Sequence, residues 1–180
     1  MTIVATTLKH RLPTTIRTQR LVLVTPTLAH APAIARLANN ANVHKWMARL
    51  PFPYALSDAE FFVNEIVPSN EEFCLSILHD DDYIGVVGLH LHPENLPELG
   101  YWLGESHWGQ GYATEAAEAL VAAARAAGAT ALRSRARKDN AGSRHVLNKL
   151  GFIEIGEETE TNGNLAGQTM ILMRLELDQR

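Results

Sequence analysis

The hydrophobic pattern along the chain changes period several times, and each change predicts an element. Residues 1 to about 18 are polar and patternless, which predicts a flexible N-terminal arm ahead of a domain spanning residues 19–180. Arg20 to Val24 (RLVLV) is a β-rich run closed by Pro26, a first strand. Thr27 is placed to cap a helix over Leu28 to Leu37, and ANVHKWM (Ala41 to Met47) reads as a second, short helix. Ser57 with Glu60 fits a capping box that opens a third helix ending before Pro68. EFCLSIL and YIGVVGLHL are strands joined by the acidic turn Asp80-Asp81-Asp82, an antiparallel hairpin. ELGYWLG (Glu98 to Gly104) is another strand. A glycine-containing loop follows and feeds a helix from about Gly111 to Ala127, stopped by Gly128. ALRSRAR alternates as a strand does, NAGSRHVLNKL is a helix ending at Gly151, and two strands separated by the turn-forming TNGN close the chain. Strands outnumber helices and come in blocks, so the fold class is α+β, one domain around a mixed sheet.

Composition narrows the function classes. A chain of 180 residues, 46% hydrophobic, supports one well-buried core. Its net charge of −4 carries no footprint for DNA or an anionic membrane and weakly suits a cationic partner. Cys74 is the only cysteine, which excludes an internal disulfide and a multi-thiolate zinc site. The longest apolar run, Ala119 to Ala124, is too short to span a bilayer, and the first residues lack the apolar segment of a signal peptide. A cytoplasmic location is therefore expected.

The loop HWGQGYATEA (His107 to Ala116) is a candidate ligand site. It joins a strand to a helix N-terminus, where free N–H groups and about half a positive charge favour an anion such as phosphate. Gly109 and Gly111 let the main chain approach a ligand closely, and Ala113 keeps the first turn slim. A tight turn without a ligand has the same glycines. Two phosphate-binding patterns fail: no G-x-x-x-x-G-K-S/T string exists, and Thr114 stands where a dinucleotide fingerprint needs its third small residue.

Three spaced stretches carry a resemblance. WGQGYA (Trp108 to Ala113) resembles the acetyl-CoA loop of the GNAT superfamily of N-acetyltransferases, Q/R-x-x-G-x-G/A. DNAGSRHVLNKLGFIEIG (Asp139 to Gly156) resembles that family's second signature, an asparagine helix followed by K-L-G-F. TQRLVLVTP and ELGYWLG resemble the opening and fourth strands of the RimJ/RimL-like branch, which acetylates ribosomal-protein N-termini. The resemblance covers about residues 18 to 177. It implies a mostly antiparallel central sheet of about seven strands flanked by helices.

The resemblance also implies an activity: transfer of acetyl from acetyl-CoA to an amine by direct attack, without a metal. The backbone of Gly109, Gln110, Gly111, Tyr112, Ala113 and Thr114 is expected to hold the pyrophosphate. The main chain of Tyr101, Trp102 and Leu103 is expected to pair with the pantetheine arm as an added strand. Asn140 offers an amide for the same arm, and helix capping is its other use. Glu98, at the head of the fourth strand, is the first candidate for the base. His90 and His92, on one face by the period of two, are the alternatives. Trp46, Trp102, Trp108 and Tyr101 are candidates to line a cleft, and Lys138 and Arg144 to meet the 3′-phosphate or stay solvated. Two departures stand out. Trp108 occupies a loop position that is usually Gln or Arg. Leu147 replaces the tyrosine that serves many members as the acid, leaving Ser143, one turn earlier, as the hydroxyl for the leaving group. The acceptor is expected to be a primary amine, either a protein N-terminus or a small molecule. A non-catalytic acyl-CoA-binding module is the rival from another class. The oligomeric state is open, with a homodimer among the options.

Overall fold

Two aspartates turn the central hairpin. Asp80 and Asp81 hold φ of 49° and 66°, a left-handed pair that short polar side chains tolerate. They reverse β3 (Glu72–His79) into β4 (Asp82–His90). The computed structural model describes residues 8–178. β1 (Thr15–Arg17), β2 (Leu21–Val24), β5 (Glu98–Leu103), β6 (Ala131–Arg137), β7 (Ile153–Thr159) and β8 (Thr169–Glu176) complete one sheet in the order β1-β2-β3-β4-β5-β6-β8-β7. All neighbours are antiparallel except β5 and β6.

Helices cover both faces. The alanine-rich Tyr112–Ala126 helix lies on one face, where Ala116, Ala117, Leu120 and Ala124 are fully buried against the sheet. Their small side chains let the helix approach closely, so its N-terminus sits near the strand edges. The other face carries the Ala31–Ala38 and Leu56–Phe61 helices, with Ile34, Val43, Tyr54, Tyr83 and Trp102 in a second cluster. No helix among the described residues is long and apolar enough to cross a membrane.

Three local expectations are corrected. The arm read over residues 1–18 is packed from Leu8 onward. Leu8 and Leu12 are buried, Lys9 Nζ donates to the carbonyls of Val67 and Ser69, and β1 adds an eighth strand. Residues 1–7 lie outside the described residues. The third helix starts at Leu56, not after Ser57, because the Asp58 carboxylate accepts from Ala55 N–H at 2.8 Å. The helix after Thr27 begins as a 3-10 turn, Leu28–His30, before Ala31–Ala38.

Candidate active site

β5 and β6 part almost as soon as they meet. They share one register pair, Glu98 with Arg133. Arg133 N–H reaches Pro97 O (3.0 Å), and the Ser134 hydroxyl donates to Leu99 O (2.8 Å). No further pair joins these strands among the described residues, so a cleft opens through the sheet beside Gly100 to Leu103. Main-chain groups alternate sides along a strand. Leu99 O is taken from the β6 side and Leu103 O by Trp108 Nε1–H at 2.9 Å, so Tyr101 turns its own N–H and C=O into the cleft. Trp102 instead pairs with Val86 of β4 and is buried in the second cluster. Of the strand residues expected to meet a pantetheine arm, Tyr101 is thus free to pair, Leu103 keeps only its N–H, and Trp102 is turned away.

The glycine loop borders this cleft. Gly109 and Gly111 adopt φ of 72° and 81°, and nothing lies within 4 Å of where a Cβ would stand at Gly109. Gly111 is the N-cap of the Tyr112–Ala126 helix, and the first intrahelical bond is Glu115 N–H to Gly111 O (3.1 Å). The N–H groups of Tyr112, Ala113 and Thr114 therefore precede any intrahelical acceptor. The Tyr112 side chain is buried, with its hydroxyl 3.3 Å from His79 Nε2, so it contributes main chain only. Gln110 is tied back, its side chain donating to Ser106 O (3.2 Å).

Across the cleft stands the Ala141–Lys149 helix. Asn140 caps it, Oδ1 accepting from Ser143 N–H at 3.1 Å, so the capping use is present and the amide N–H2 stays available. The Ser143 hydroxyl lies 3.0 Å from Tyr101 Oη. Burial pushes the Tyr101 phenol up to about 12, partly opposed by its bond to Ser143. It therefore keeps its proton at neutral pH. Leu147 is fully buried in the core. A tyrosine hydroxyl is thus present beside Ser143 after all, delivered by β5 rather than by the helix.

On the opposite face a row of charges crosses the strands. Glu72, His90, Glu98 and Arg133 are successive register partners. His90 Nδ1 and Glu72 Oε1 are 2.6 Å apart, Arg49 Nη1 is 4.0 Å from the same oxygen, and the His92 ring is centred 6.2 Å from His90. Glu98 is gripped by Arg133 (2.5 Å) and Arg135 (3.2 Å). Arg135 also meets Glu158 and Glu160, each at 3.0 Å. Glu160 receives two backbone N–H bonds, from Asn162 and Thr161, and with Arg135 they hold its carboxyl below the usual range against desolvation. The two further carboxylates at Arg135 gave no sequence signal, since Glu158 and Glu160 sit in an unremarkable acidic strand end. No group of three or more His, Cys, Asp or Glu placed to hold a metal occurs among the described residues.

The remaining candidates are each engaged with neighbouring charges. Lys138 pairs with Glu157 (2.8 Å) and Arg144 with Glu154 (2.5 Å). Trp46 is stacked by Lys45 and Arg137, at 4.8 and 4.9 Å.

The family model for the acetyltransferase (GNAT) domain matches residues 20–153, well over half of the chain. An uncharacterized N-acetyltransferase, p20, of Bacillus licheniformis is 30% identical over 114 residues, which is 59% of this chain and 64% of that protein. The chain thus spans less than two thirds of that relative's length. Among solved structures, the microcin C7 self-immunity acetyltransferase MccE, in complex with acetyl-CoA and AMP, superposes with a TM-score of 0.81 at 24% identity, covering 92% of this chain and 98% of that one. RimL, the ribosomal L7/L12 alpha-N-protein acetyltransferase in complex with coenzyme A, superposes with a TM-score of 0.81 at 20% identity, covering 94% and 99%.

Proposed function

Because the chain belongs to the GNAT acetyltransferase family, we propose that it transfers the acetyl group of acetyl-CoA to a primary amine, with a protein N-terminal amine as the favoured acceptor. The observation that carries this reading is the parting of β5 and β6 after Glu98 and Arg133, with the glycine loop at its edge. The cleft joins an anion-binding helix terminus on one face to a carboxylate-rich row on the other.

The residues present fit the donor. Free N–H groups from Gly109 to Thr114 would hold its phosphates. The main chain of Tyr101 and the Asn140 amide would hold its arm. Acetyl-CoA supplies an activated acyl carbon and a thiolate leaving group. Ser143, 3.0 Å from the protonated Tyr101, would donate a hydrogen bond to that sulfur.

An ammonium acceptor must give up a proton. Glu98 was expected to take it, yet both its oxygens already bond guanidinium groups, and accepting a proton would remove the negative charge that holds those pairs. His90 is better placed. Glu72 holds Nδ1, and Nε2 has no hydrogen-bond partner among the described residues. A base oriented by a carboxylate is a recurrent arrangement. The charged and titratable groups facing His90 are Glu72, Glu98, His92 and Arg49. Around the site Glu98, Glu158 and Glu160 meet Arg133 and Arg135, and Glu72 meets His90 and Arg49, so the carboxylates outnumber the arginines by one, which suits a cationic amine.

The N-terminal amine is favoured because the opening- and fourth-strand sequences resemble the RimJ/RimL-like branch and RimL is among the structural neighbours. The test is an acceptor panel with mass-spectrometric detection: peptides with free N-termini, the same peptides Nα-blocked, and small amines. Acetylation of free N-termini alone is expected. Turnover only on small amines moves the acceptor class, and CoA binding without any turnover reduces the protein to a binding module.

A further inference from the structure

The β1–β2 turn reaches across about ninety residues of sequence to the glycine loop. Arg20 Nη1 donates to Gln110 O at 2.9 Å, Arg20 Nε to Glu115 Oε2 at 2.7 Å, and Arg20 main-chain N–H to Glu115 Oε1 at 2.8 Å. Its guanidinium lies over the Tyr112 ring, 4.6 Å from the centroid. Thr18 Oγ1 adds a bond to Glu115 Oε1 at 2.6 Å. We propose that Arg20 is a positioning residue for the donor site, locking the glycine loop and the first helical turn in the form that receives the donor's phosphates. This rests on the acetyl-CoA reading above.

Two physical effects support it. In a trans peptide the C=O and the next N–H point in opposite directions. Fixing Gln110 C=O toward Arg20 therefore turns Gly111 N–H away from it, so the loop cannot offer a carbonyl oxygen in that N–H's place. Second, Glu115 is an acidic side chain in the first turn of the helix that would receive the phosphates. Left free, it would repel phosphate and compete for the same N–H groups. Desolvation pushes its carboxyl up, but the bonds from Thr18 and Arg20 outweigh this and hold it below the usual range. The carboxylate is thus charged and engaged away from the N–H groups. Bridging Gln110 O and Glu115 while covering Tyr112 needs a planar fork, which lysine lacks.

The test compares wild type, Arg20→Lys and Arg20→Ala with acetyl-CoA and with acetyl-pantetheine, which has the same thioester and no phosphate. Direct measurement of CoA binding accompanies the kinetics. Both variants are expected to raise KM for acetyl-CoA and Kd for CoA by about 10- to 100-fold, with kcat at saturation within about threefold. The kcat/KM for acetyl-pantetheine should stay within about threefold in both. Equal loss with both donors means a general structural role, and unchanged CoA affinity means none; either overturns the proposal. Rescue by lysine overturns the fork argument. A wild type that binds CoA without turnover fails the transfer reading, while the binding arm still decides on Arg20. A wild type that binds no CoA removes the donor reading and this proposal with it.

Discussion

The phenol oxygen of Tyr101 lies 3.0 Å from the hydroxyl oxygen of Ser143, joining β5 to the helix across the cleft. In the proposed reaction the pair would serve, with two residues on two elements, in place of the single helix tyrosine whose position Leu147 takes. A hydrogen bond that strengthens as thiolate charge develops is worth about 1.5–3 kcal/mol, or roughly 10- to 150-fold in rate. Ser143→Ala is therefore expected to lower kcat within that range with CoA binding unchanged. Tyr101→Phe removes only a neutral bond of about 0.5–1.5 kcal/mol and should lower kcat by roughly 2- to 12-fold. Steady-state kinetics at saturating donor check both. A normal kcat in Ser143→Ala would leave that hydroxyl a purely structural role.

The proposed proton acceptor is separable from the ion-pair hub. His90→Gln is expected to lower kcat/KM by about 10²–10⁴ and to remove the acidic limb of its pH profile. Glu98→Gln should retain that limb. It should also lower Tm, because Arg133 and Arg135 lose a shared partner, by roughly 2–4 °C per kcal/mol lost. The reverse pattern returns the base role to Glu98.

The donor loop can be read by thermal shift. CoA at one hundred times its Kd should stabilise the protein by about 2.7 kcal/mol. Adenosine, without the pyrophosphate, should do far less. Gly111→Val is expected to abolish the CoA shift, since φ of 81° excludes a branched residue and Arg20 Nη2 stands 3.3 Å from the Cβ position. An undiminished shift in a folded variant would place the phosphates elsewhere.

Glu115 links stability to pH. Its folded carboxyl titrates below the ordinary value, so its contribution is fully present above about pH 4.3 and is lost as pH falls through the depressed folded value. Asp139 and Glu160 shift in the same direction and remain in a Glu115→Gln variant. The Tm of wild type should therefore fall more steeply than that of Glu115→Gln below about pH 4.3. Parallel curves in differential scanning calorimetry would remove Glu115 from the acid transition.

Much of the molecule was legible in the chain because its determinants are local. The β3–β4 hairpin follows from two aspartates between apolar runs, and the Tyr112–Ala126 helix from a glycine start, an alanine-rich face and Gly128 with φ of 97°. The glycine loop and the Asn140 cap were equally local, since the positive φ at Gly109 and Gly111 and the Asn140 Oδ1 bond to Ser143 N–H each involve only a few neighbouring residues. β1 could not. Its three residues have no pattern of their own, and their pairing is supplied wholly by β2.

What tertiary structure alone decided are the relationships between distant segments. Glu98 looked like a strand-end carboxylate, and only the arrival of β6 made it the partner of Arg133 and Arg135. The cleft is an absence of pairing between β5 and β6, which leaves no mark on either strand's pattern. The likeness of two hydroxyls to one missing tyrosine, and the reach of Arg20 to Gln110, depend on through-space distances of about 3 Å between residues 42 and 90 positions apart. A sequence encodes which side chains can make such bonds. The folded backbone selects which ones meet, because hydrogen bonds and ion pairs act only over a few ångströms.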